Sequence, residues 1–142
     1  MKIGILGTGG VGQTFALKLT EMGHSVMIGT RDVSATLANT TPDGYGNPPF
    51  SAWHKANPAI QLGTFSQAAA HGEVIINATN GYGSIPALEA AGETNLNGKI
   101  LMDISNPLDF SKGMPPSLFV SNTDSLAEQI QARFPSVKVV KT

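Results

Sequence analysis

The residues with the clearest chemical meaning lie in one glycine-rich stretch near the N-terminus, GTGGVGQT. Residues 7–14 contain a complete G-x-G-x-x-G, with Gly7, Gly9 and Gly12 at the required spacing. In a dinucleotide-binding turn the first glycine allows a tight turn and the second lets the backbone approach a pyrophosphate. The third glycine lets a helix pack close to a strand. The stretch therefore predicts a site for a pyrophosphate-linked dinucleotide.

The same stretch is one residue short of a P-loop, G-x-x-x-x-G-K-[ST]. Its glycines and Thr14 fit that pattern, but Gln13 stands where the lysine should be. The lysine is needed because its ammonium group reaches the β- and γ-phosphates of a nucleoside triphosphate. Gln13 carries no charge, so we favour the dinucleotide over the triphosphate.

A second determinant follows the next apolar run, in the sequence IGTRD. NAD-specific sites usually place a carboxylate at this point, where it accepts hydrogen bonds from the ribose hydroxyls. Here Thr30 and Arg31 come first, and a hydroxyl with a guanidinium suits a 2′-phosphate. Asp32 could serve as the acid of the fingerprint, but counted from the strand end it is the N-cap of the next helix. We therefore predict NADP(H) rather than NAD(H).

The elements that must position these residues are short apolar runs that alternate with helical patterns. Most of the runs are continuous in Val and Ile, which is typical of parallel strands covered on both faces. We predict strands at residues 2–6, 25–29, 60–62, 73–77, 99–103 and 137–140. We predict helices at residues 10–22, 66–71, 85–91 and 125–134, the last with Asp124 as its N-cap.

This order predicts an α/β fold, a three-layer doubly wound parallel sheet of the Rossmann NAD(P)-binding type. At 142 residues, the chain is expected to be one dinucleotide-binding domain over residues 1–142. Residues 39–58 form an irregular excursion with a short helix at 50–56, in which Trp53 is expected to pack. Residues 105–121 are expected to be a loop.

Composition excludes several classes of protein. The chain has no cysteine, a formal net charge of −1 and a charged fraction of 13%. Disulfides and thiolate metal sites are therefore excluded, and nucleic acid is not expected as a partner. No apolar run is long enough for a membrane span, so we expect no membrane contact and a cytoplasmic location.

No side chain stands out as catalytic. His24, His54 and His71 lack the neighbours that a metal site needs, so we expect no metal. Ser84 and Ser105 have no evident histidine or acid partner, which argues against a hydrolase. Asp103, at the end of a predicted strand, is expected to accept hydrogen bonds from the loop that follows.

Three segments together resemble the NADP-binding domain of deazaflavin (coenzyme F420)-dependent NADP oxidoreductases. They are GILGTGGVGQTFALKLTEMGHSVMIGTRD, then NATN at residues 77–80, then MDISNPL at residues 102–108. The same domain recurs in similar reductases that serve ferric ions through flavin and haem. The resemblance implies an NADP-dependent oxidoreductase, and it implies which residues form the site.

The implied roles fall on positions at the ends of the predicted strands. The pyrophosphate would be contacted by Thr8, Gly9, Gly10 and Val11, beside Gly7 and Gly12 of the fingerprint. The adenosine phosphate would be contacted by Thr30 and Arg31. Asn77, Ala78 and Thr79 would line the ribose and nicotinamide side, and Asn106 and Pro107 would close the pocket.

Hydride transfer between NADPH and a flavin or deazaflavin ring is the leading expectation, because it requires orientation and exclusion of water rather than a strong acid or base. A non-catalytic NADP(H)-sensing module and a reductase of a small carbonyl substrate remain open. The part of the family that helps to form the acceptor site and dimer contacts is not evident in this sequence. We therefore expect efficient transfer to require a partner, a homo-oligomer or a longer chain.

Overall fold

All the predicted strands and helices are present, together with a short helix at Glu93–Leu96 and two short strands at Leu108–Asp109 and Ser117–Leu118 that the sequence does not predict. The computed structural model describes residues 1–44 and 46–142, and Tyr45 of the predicted excursion lies outside the described residues. In chain order the elements are β1 (Lys2–Leu6), α1 (Gly10–Glu21), β2 (Ser25–Thr30), α2 (Val33–Ala38), α3 (Phe50–Ala56), β3 (Gln61–Thr64), α4 (Phe65–His71), β4 (Val74–Asn77), α5 (Gly81–Ala91), α6 (Glu93–Leu96), β5 (Ile100–Asp103), β6 (Leu108–Asp109), β7 (Ser117–Leu118), α7 (Leu126–Arg133) and β8 (Lys138–Lys141).

Six of these strands form one parallel sheet in the order β3-β2-β1-β4-β5-β8. The central strand β1 pairs with β2 through Ile5 and Ile28, and with β4 through Ile5 and Ile76. The chain order reverses between β1 and β4, and ligands of such sheets bind outside the carboxyl ends of the strands at this point. The predicted doubly wound Rossmann-type sheet is confirmed.

The sheet is buried on both faces, which explains why its strands are continuous apolar runs. Alternate residues of β1 point to opposite sides, so that Ile5 belongs to one buried cluster and Leu6 to the other. The Ile5 cluster packs against α1 and α3. The Leu6 cluster packs against α4, α5 and α7. Three layers result, as the sequence indicates.

Two predicted helix boundaries are wrong because of capping side chains. Helix α5 begins at Gly81 rather than at residue 85, since Asn80 accepts a hydrogen bond from the N–H of Gly83 at 2.7 Å. In α7 the N-cap is Ser125, not Asp124. The Ser125 hydroxyl accepts from the N–H of Glu128 at 3.2 Å. Asp124 instead accepts from the side chain of Gln129 at 2.8 Å.

The segment predicted as a loop at residues 105–121 contains a small antiparallel hairpin. Leu108 of β6 pairs with Leu118 of β7, and both side chains are exposed. The strands β6 and β7 have only two residues each, which is too few for a recognisable alternating pattern in the sequence. This hairpin stands beside the carboxyl end of β5 and forms one wall of the site described below.

Close packing of α4 on β1 depends on Gly4. A Cβ at Gly4 would overlap with the carbonyl oxygen of Ala68 and would lie 2.9 Å from its carbonyl carbon. Gly4→Ala should therefore lower the free energy of unfolding by about 1–3 kcal/mol, as overpacked cores do, measured by urea denaturation. The control is Gly9→Ala, where no atom lies within 4 Å of the added Cβ. An equal loss in both variants would contradict the packing argument.

Candidate functional site

The turn after β1 is closed by contacts between backbones. The N–H of Gly7 donates to the carbonyl oxygen of Gly29 at 3.0 Å, and Gly7 has a φ of +118°. A Cβ at Gly7 would lie 2.6 Å from the carbonyl oxygen of Ala78. A Cβ at Gly12 would overlap with the carbonyl oxygen of Gly7. These two positions therefore exclude side chains, for the reasons that the fingerprint implies.

Gly9 and Gly10 leave open space beside this turn. No atom lies within 4 Å of a Cβ built at either position. Helix α1 begins at Gly10, and the first N–H groups of a helix lack intrahelical partners and carry partial positive charge. The space and its polarity fit a pyrophosphate. Gln13 donates from Nε2 to the carbonyl oxygen of Thr8 at 2.8 Å, so it braces the turn instead of meeting a phosphate.

At the end of β2 lies a cavity of about 430 Å³, here called the Thr30 cavity. Thr30 is 8% exposed, whereas Arg31 is exposed and forms no ion pair with a described residue. The Asp32 carboxylate accepts from the N–H of Ala35 at 2.9 Å and caps α2, as predicted. The guanidinium is thus available to an anionic ligand, and Asp32 is occupied by its own helix.

The Thr30 cavity continues into a second cavity of about 480 Å³ over the glycine turn, here called the central cavity. The two share Gly7, Thr8, Arg31 and Phe65. Apolar residues form the far wall of the central cavity: Phe65, Pro86, Ala87 and Ala90. A flat ring could pack there while its charged substituents face Arg31 and the turn.

The third cavity, here called the hairpin cavity, has a volume of about 630 Å³ and shares Ala78, Thr79 and Asn80 with the central cavity. Its apolar lining residues include Val11, Ile104, Leu108 and Phe110. Tyr82 and Asn106 also line it. Tyr82 is 59% exposed, and its ring stacks on Phe119 with centroids 4.2 Å apart. A hydrogen bond from the backbone N–H of Ser111 lowers the pKa of the Asp109 carboxyl at the edge of this cavity.

Behind these cavities lies a buried polar network centred on Asn77. Asn77 and Asp103 are both 0% exposed, and Asn77 Nδ2 donates to Asp103 Oδ1 at 2.9 Å. The Ser105 hydroxyl donates to the same Asp103 oxygen at 2.7 Å, and its N–H donates there at 3.2 Å. On the other side, the Thr79 hydroxyl donates to Asn77 Oδ1 at 2.7 Å. The network therefore links the ends of β4 and β5.

Two expected site residues are placed differently from the prediction. Asn77 was expected to line the ribose and nicotinamide side, but its side chain is enclosed by the network and supports Thr79 from behind. Pro107 was expected to close the pocket. Instead its Cα would lie 2.9 Å from a Cβ on Gly81, so it packs against the start of α5, and it does not line the hairpin cavity. Asn106 does line it.

Sequence reasoning missed several residues of the site. Tyr82 lies in the first turn of α5, but the sequence pattern predicts that this helix starts three residues beyond Tyr82. Asp109 and Phe110 were assigned to a structureless loop, and no motif marks them. Phe65 and Pro86 reach the central cavity only because α4 and α5 pack side by side. One local signal indicates that a helix begins just before Tyr82. In NGYG at residues 80–83, Asn80 is a favourable N-cap residue and glycines flank Tyr82 in the first turn.

The excursion contributes a separate cavity of about 780 Å³ between α1 and α3. Trp53 is partly buried against the Ile5 cluster and lines this cavity, and its ring lies 5.4 Å from that of Phe50. Its predicted packing role is consistent with this placement. The cavity touches the site at Thr8, Gly9 and Gly10.

The histidines have structural partners in the described chain. His24 contacts the N-terminal ammonium at 3.3 Å, His54 contacts the carbonyl oxygen of Ile60 at 3.0 Å, and His71 contacts that of Ser25 at 3.1 Å. Among residues 1–44 and 46–142, no group of three acidic or histidine side chains could bind a metal. No helix in those residues is both long and apolar enough to cross a bilayer.

The chain matches a known family over most of its length. Residues 2–107 match the sequence profile of the family described as NADP oxidoreductase, coenzyme F420-dependent. It is also similar to a solved structure described as a candidate F420-dependent NADP reductase from Arthrobacter sp. FB24. That structure has 57% sequence identity and a TM-score of 0.93, and the match covers 99% of this chain and 61% of the Arthrobacter chain.

Two more distant similarities are consistent with the fold. The metalloreductase STEAP3 of Rattus norvegicus is 29% identical over 143 residues, which cover 99% of this chain and 24% of the rat protein. An imine reductase of Streptomyces aurantiacus has 19% identity and a TM-score of 0.65, over 99% of this chain and 40% of that enzyme. The chain thus spans about a quarter of the rat relative and less than two thirds of the Arthrobacter protein.

The polar network should be essential to stability. Asn77→Ala would leave the Asp103 carboxylate and the Thr79 hydroxyl without their amide partner in a buried setting. We expect the free energy of unfolding to fall by about 2–4 kcal/mol, measured by urea denaturation. The exposed Asn97→Ala is the matched control and should change stability by less than about 0.5 kcal/mol. A loss at Asn77 no larger than at Asn97 would show that the network is not needed for folding.

Proposed function

We propose a function from one premise: the chain belongs to the family of coenzyme F420-dependent NADP oxidoreductases, whose nucleotide cofactor is NADP. The proposal is that NADP(H) lies along the three joined cavities and that this chain takes part in hydride exchange between NADPH and a deazaflavin ring. One observation carries it. The Thr30, central and hairpin cavities share lining residues and so form one groove past the carboxyl ends of β2, β1, β4 and β5.

The pyrophosphate is assigned to the glycine turn. Thr8, Gly9, Gly10 and Val11 surround the N-terminus of α1, where the unpaired N–H groups favour an anion. Gly9 permits this approach because it has no side chain and no neighbour within 4 Å of a Cβ. Gly7 and Gly12 do not need to touch the ligand, since their part is to fix the backbone.

The two halves of the cofactor are assigned to the two ends of the groove. Thr30 and Arg31 are assigned to the 2′-phosphate of the adenosine half, because Arg31 is the cation of the Thr30 cavity and is not paired with a described residue. Ala78, Thr79 and Asn106 are assigned to the nicotinamide half, beside the hairpin cavity. Asn77 is assigned the support of Thr79, and Pro107 the support of the loop.

The acceptor is assigned to the hairpin cavity. When bound, NADPH supplies a hydride, two electrons with one proton, and a deazaflavin that accepts it takes up one further proton. The chain's own part is to bring the two rings together and to keep water out. The apolar side chains of Leu108, Phe110 and Ile104 in the cavity suit this role, since they can pack against a ring and displace water.

Two alternative functions would use parts of the same groove. Reduction of a small carbonyl compound would need a proton donor, and Tyr82 places a phenol hydroxyl on the hairpin cavity. A non-catalytic NADP(H)-sensing module would need only the Thr30 and central cavities.

The cofactor assignment predicts a preference for NADPH that depends on Arg31. Loss of a charge-assisted pair of this type should cost about 1.5–3 kcal/mol, or on the order of ten- to a hundredfold in affinity. Arg31→Ala should therefore weaken NADPH binding by that factor and leave NADH binding nearly unchanged, measured by calorimetry. Arg133→Ala, remote from the groove, is the control. Equal affinities of the unaltered chain for NADPH and NADH would overturn the assignment.

The hydride-transfer proposal is tested by following NADPH consumption spectroscopically. Separate samples contain deazaflavin, free flavin or a small aldehyde, and the mass of the protein in solution is measured alongside. Consumption with deazaflavin alone supports the leading proposal. Consumption with the aldehyde that falls at least about tenfold in Tyr82→Phe supports carbonyl reduction. Tight NADPH binding without consumption in any sample, at every oligomeric state observed, would favour the sensing module.

A further inference from the structure

We propose that Thr36 controls the choice between phosphorylated and unphosphorylated cofactor by holding the hydroxyl hydrogen of Thr30. The inference rests on the proposed function, in which Thr30 faces the 2′ position of the adenosine ribose. It assigns to Thr36 a role that neither the fingerprint nor the TRD sequence indicates. Thr36 is a specificity-determining residue that acts through Thr30.

The positions of three oxygen atoms fix where the hydrogens lie. Thr36 Oγ1 is 2.7 Å from the carbonyl oxygen of Asp32, which can only accept. Thr36 Oγ1 is also 2.7 Å from Thr30 Oγ1. A hydroxyl has one hydrogen, and that of Thr36 is donated to Asp32. Both short contacts are satisfied only if Thr30 donates its hydrogen to Thr36.

The surrounding structure holds this arrangement in place. Thr30 ends β2 and is 8% exposed, so its side chain has little freedom to move. Thr36 lies four residues after the N-cap Asp32, whose carboxylate accepts from the N–H of Ala35 at 2.9 Å. The first turn of α2 is therefore fixed relative to β2. Both residues line the Thr30 cavity.

The direction of this hydrogen-bond chain matters for the ligand. With its hydrogen committed to Thr36, Thr30 presents oxygen lone pairs to the cavity. The 2′-hydroxyl of an unphosphorylated cofactor can donate to them. A 2′-phosphate is mainly dianionic at pH 7, since its second pKa is about 6, and it needs donors. To bind it, Thr30 must withdraw its hydrogen from Thr36 and leave that oxygen without a donor.

Thr36 therefore opposes the preference that Arg31 creates. The guanidinium attracts the phosphate, whereas the Thr30–Thr36 hydrogen bond must be given up when the phosphate binds. Removing the oxygen of Thr36 releases the Thr30 hydrogen without removing Thr30. The expected effect is the cost of about one neutral hydrogen bond, the Thr30–Thr36 bond, which the phosphorylated ligand no longer has to break.

The test is Thr36→Val, which keeps the branched shape and removes the hydroxyl. Calorimetry with NADPH and NADH, and with adenosine 2′,5′-bisphosphate and AMP, measures the preference with and without the nicotinamide. NADPH and the bisphosphate should bind about two- to tenfold more tightly than to the unaltered protein. Affinities for NADH and AMP should stay within about twofold, because Thr30 can still accept from a 2′-hydroxyl.

Thr36→Ser is the matched control, since it keeps the oxygen and its hydrogen, and its preference should equal that of the unaltered protein. Weaker NADPH binding in Thr36→Val would overturn the inference, because it would mean that Thr36 itself contacts the phosphate. An equal change for both ligands of a pair would mean a purely structural role and would also overturn it. Thr36→Ala must repeat the result, with the thermal midpoint of each variant confirming its fold.

Failure of this inference can be told apart from failure of the proposed function. If the unaltered chain binds NADPH more tightly than NADH, and Arg31→Ala abolishes the difference, the function stands whatever Thr36→Val does. If the unaltered chain shows no such difference, the assignment of Thr30 and Arg31 to the 2′-phosphate is wrong. In that case the inference falls with it.

Discussion

The site depends on backbones that approach one another more closely than any side chain would allow. At Gly7 a Cβ would meet the carbonyl of Ala78 at 2.6 Å, and at Gly12 it would overlap with the carbonyl of Gly7. These contacts press the turn after β1 against the end of β4 and against the first turn of α1. As a result, the N-terminus of α1 faces the point where the strand order reverses. The groove exists because these glycines let the turn occupy so little space.

The polar network beneath the groove serves a different purpose from the glycine contacts. It joins the ends of β4 and β5 with fully buried groups, and Asn77 stands at its centre because an amide both donates and accepts. Asp103 Oδ2 has no hydrogen-bond partner among the described residues, whereas Oδ1 accepts from several. The network thus fixes the direction of the Thr79 hydroxyl, whose hydrogen points inward to Asn77. The oxygen of Thr79 also lies 3.0 Å from the hydroxyl oxygen of Ser84.

The same logic of a hydroxyl with one hydrogen applies at both ends of the groove. At one end Asn77 takes the hydrogen of Thr79, and at the other Thr36 takes that of Thr30. In each case a second residue takes the hydrogen and so determines what the first residue can offer to a ligand. In the proposed function, the charge of Arg31 is therefore not the whole basis on which the groove distinguishes one nucleotide from another.

The fold class, the glycine turn and the residues at the ends of β1 and β2 can all be predicted from the order of residues alone. These features are local: a turn that excludes side chains, a helix that starts with free N–H groups, and apolar runs covered on both faces all leave direct marks in the order of residues. Asp32 could be assigned as an N-cap for the same reason, because a cap acts on the residues that immediately follow it.

Which side chains face the groove depends on how distant elements of the fold pack together. Asn77 and Thr79 are two residues apart, yet one is enclosed and the other lines a cavity, because Asp103 of β5, 26 residues away in the chain, and Ser84 of α5 both approach Asn77. Tyr82, Asp109 and Phe110 reached the site because α5 and the hairpin meet there. Contacts between distant segments depend on packing, which the spacing of residues along the chain does not reveal. In the same way, the sequence does not show that the Thr36 hydroxyl lies beside that of Thr30.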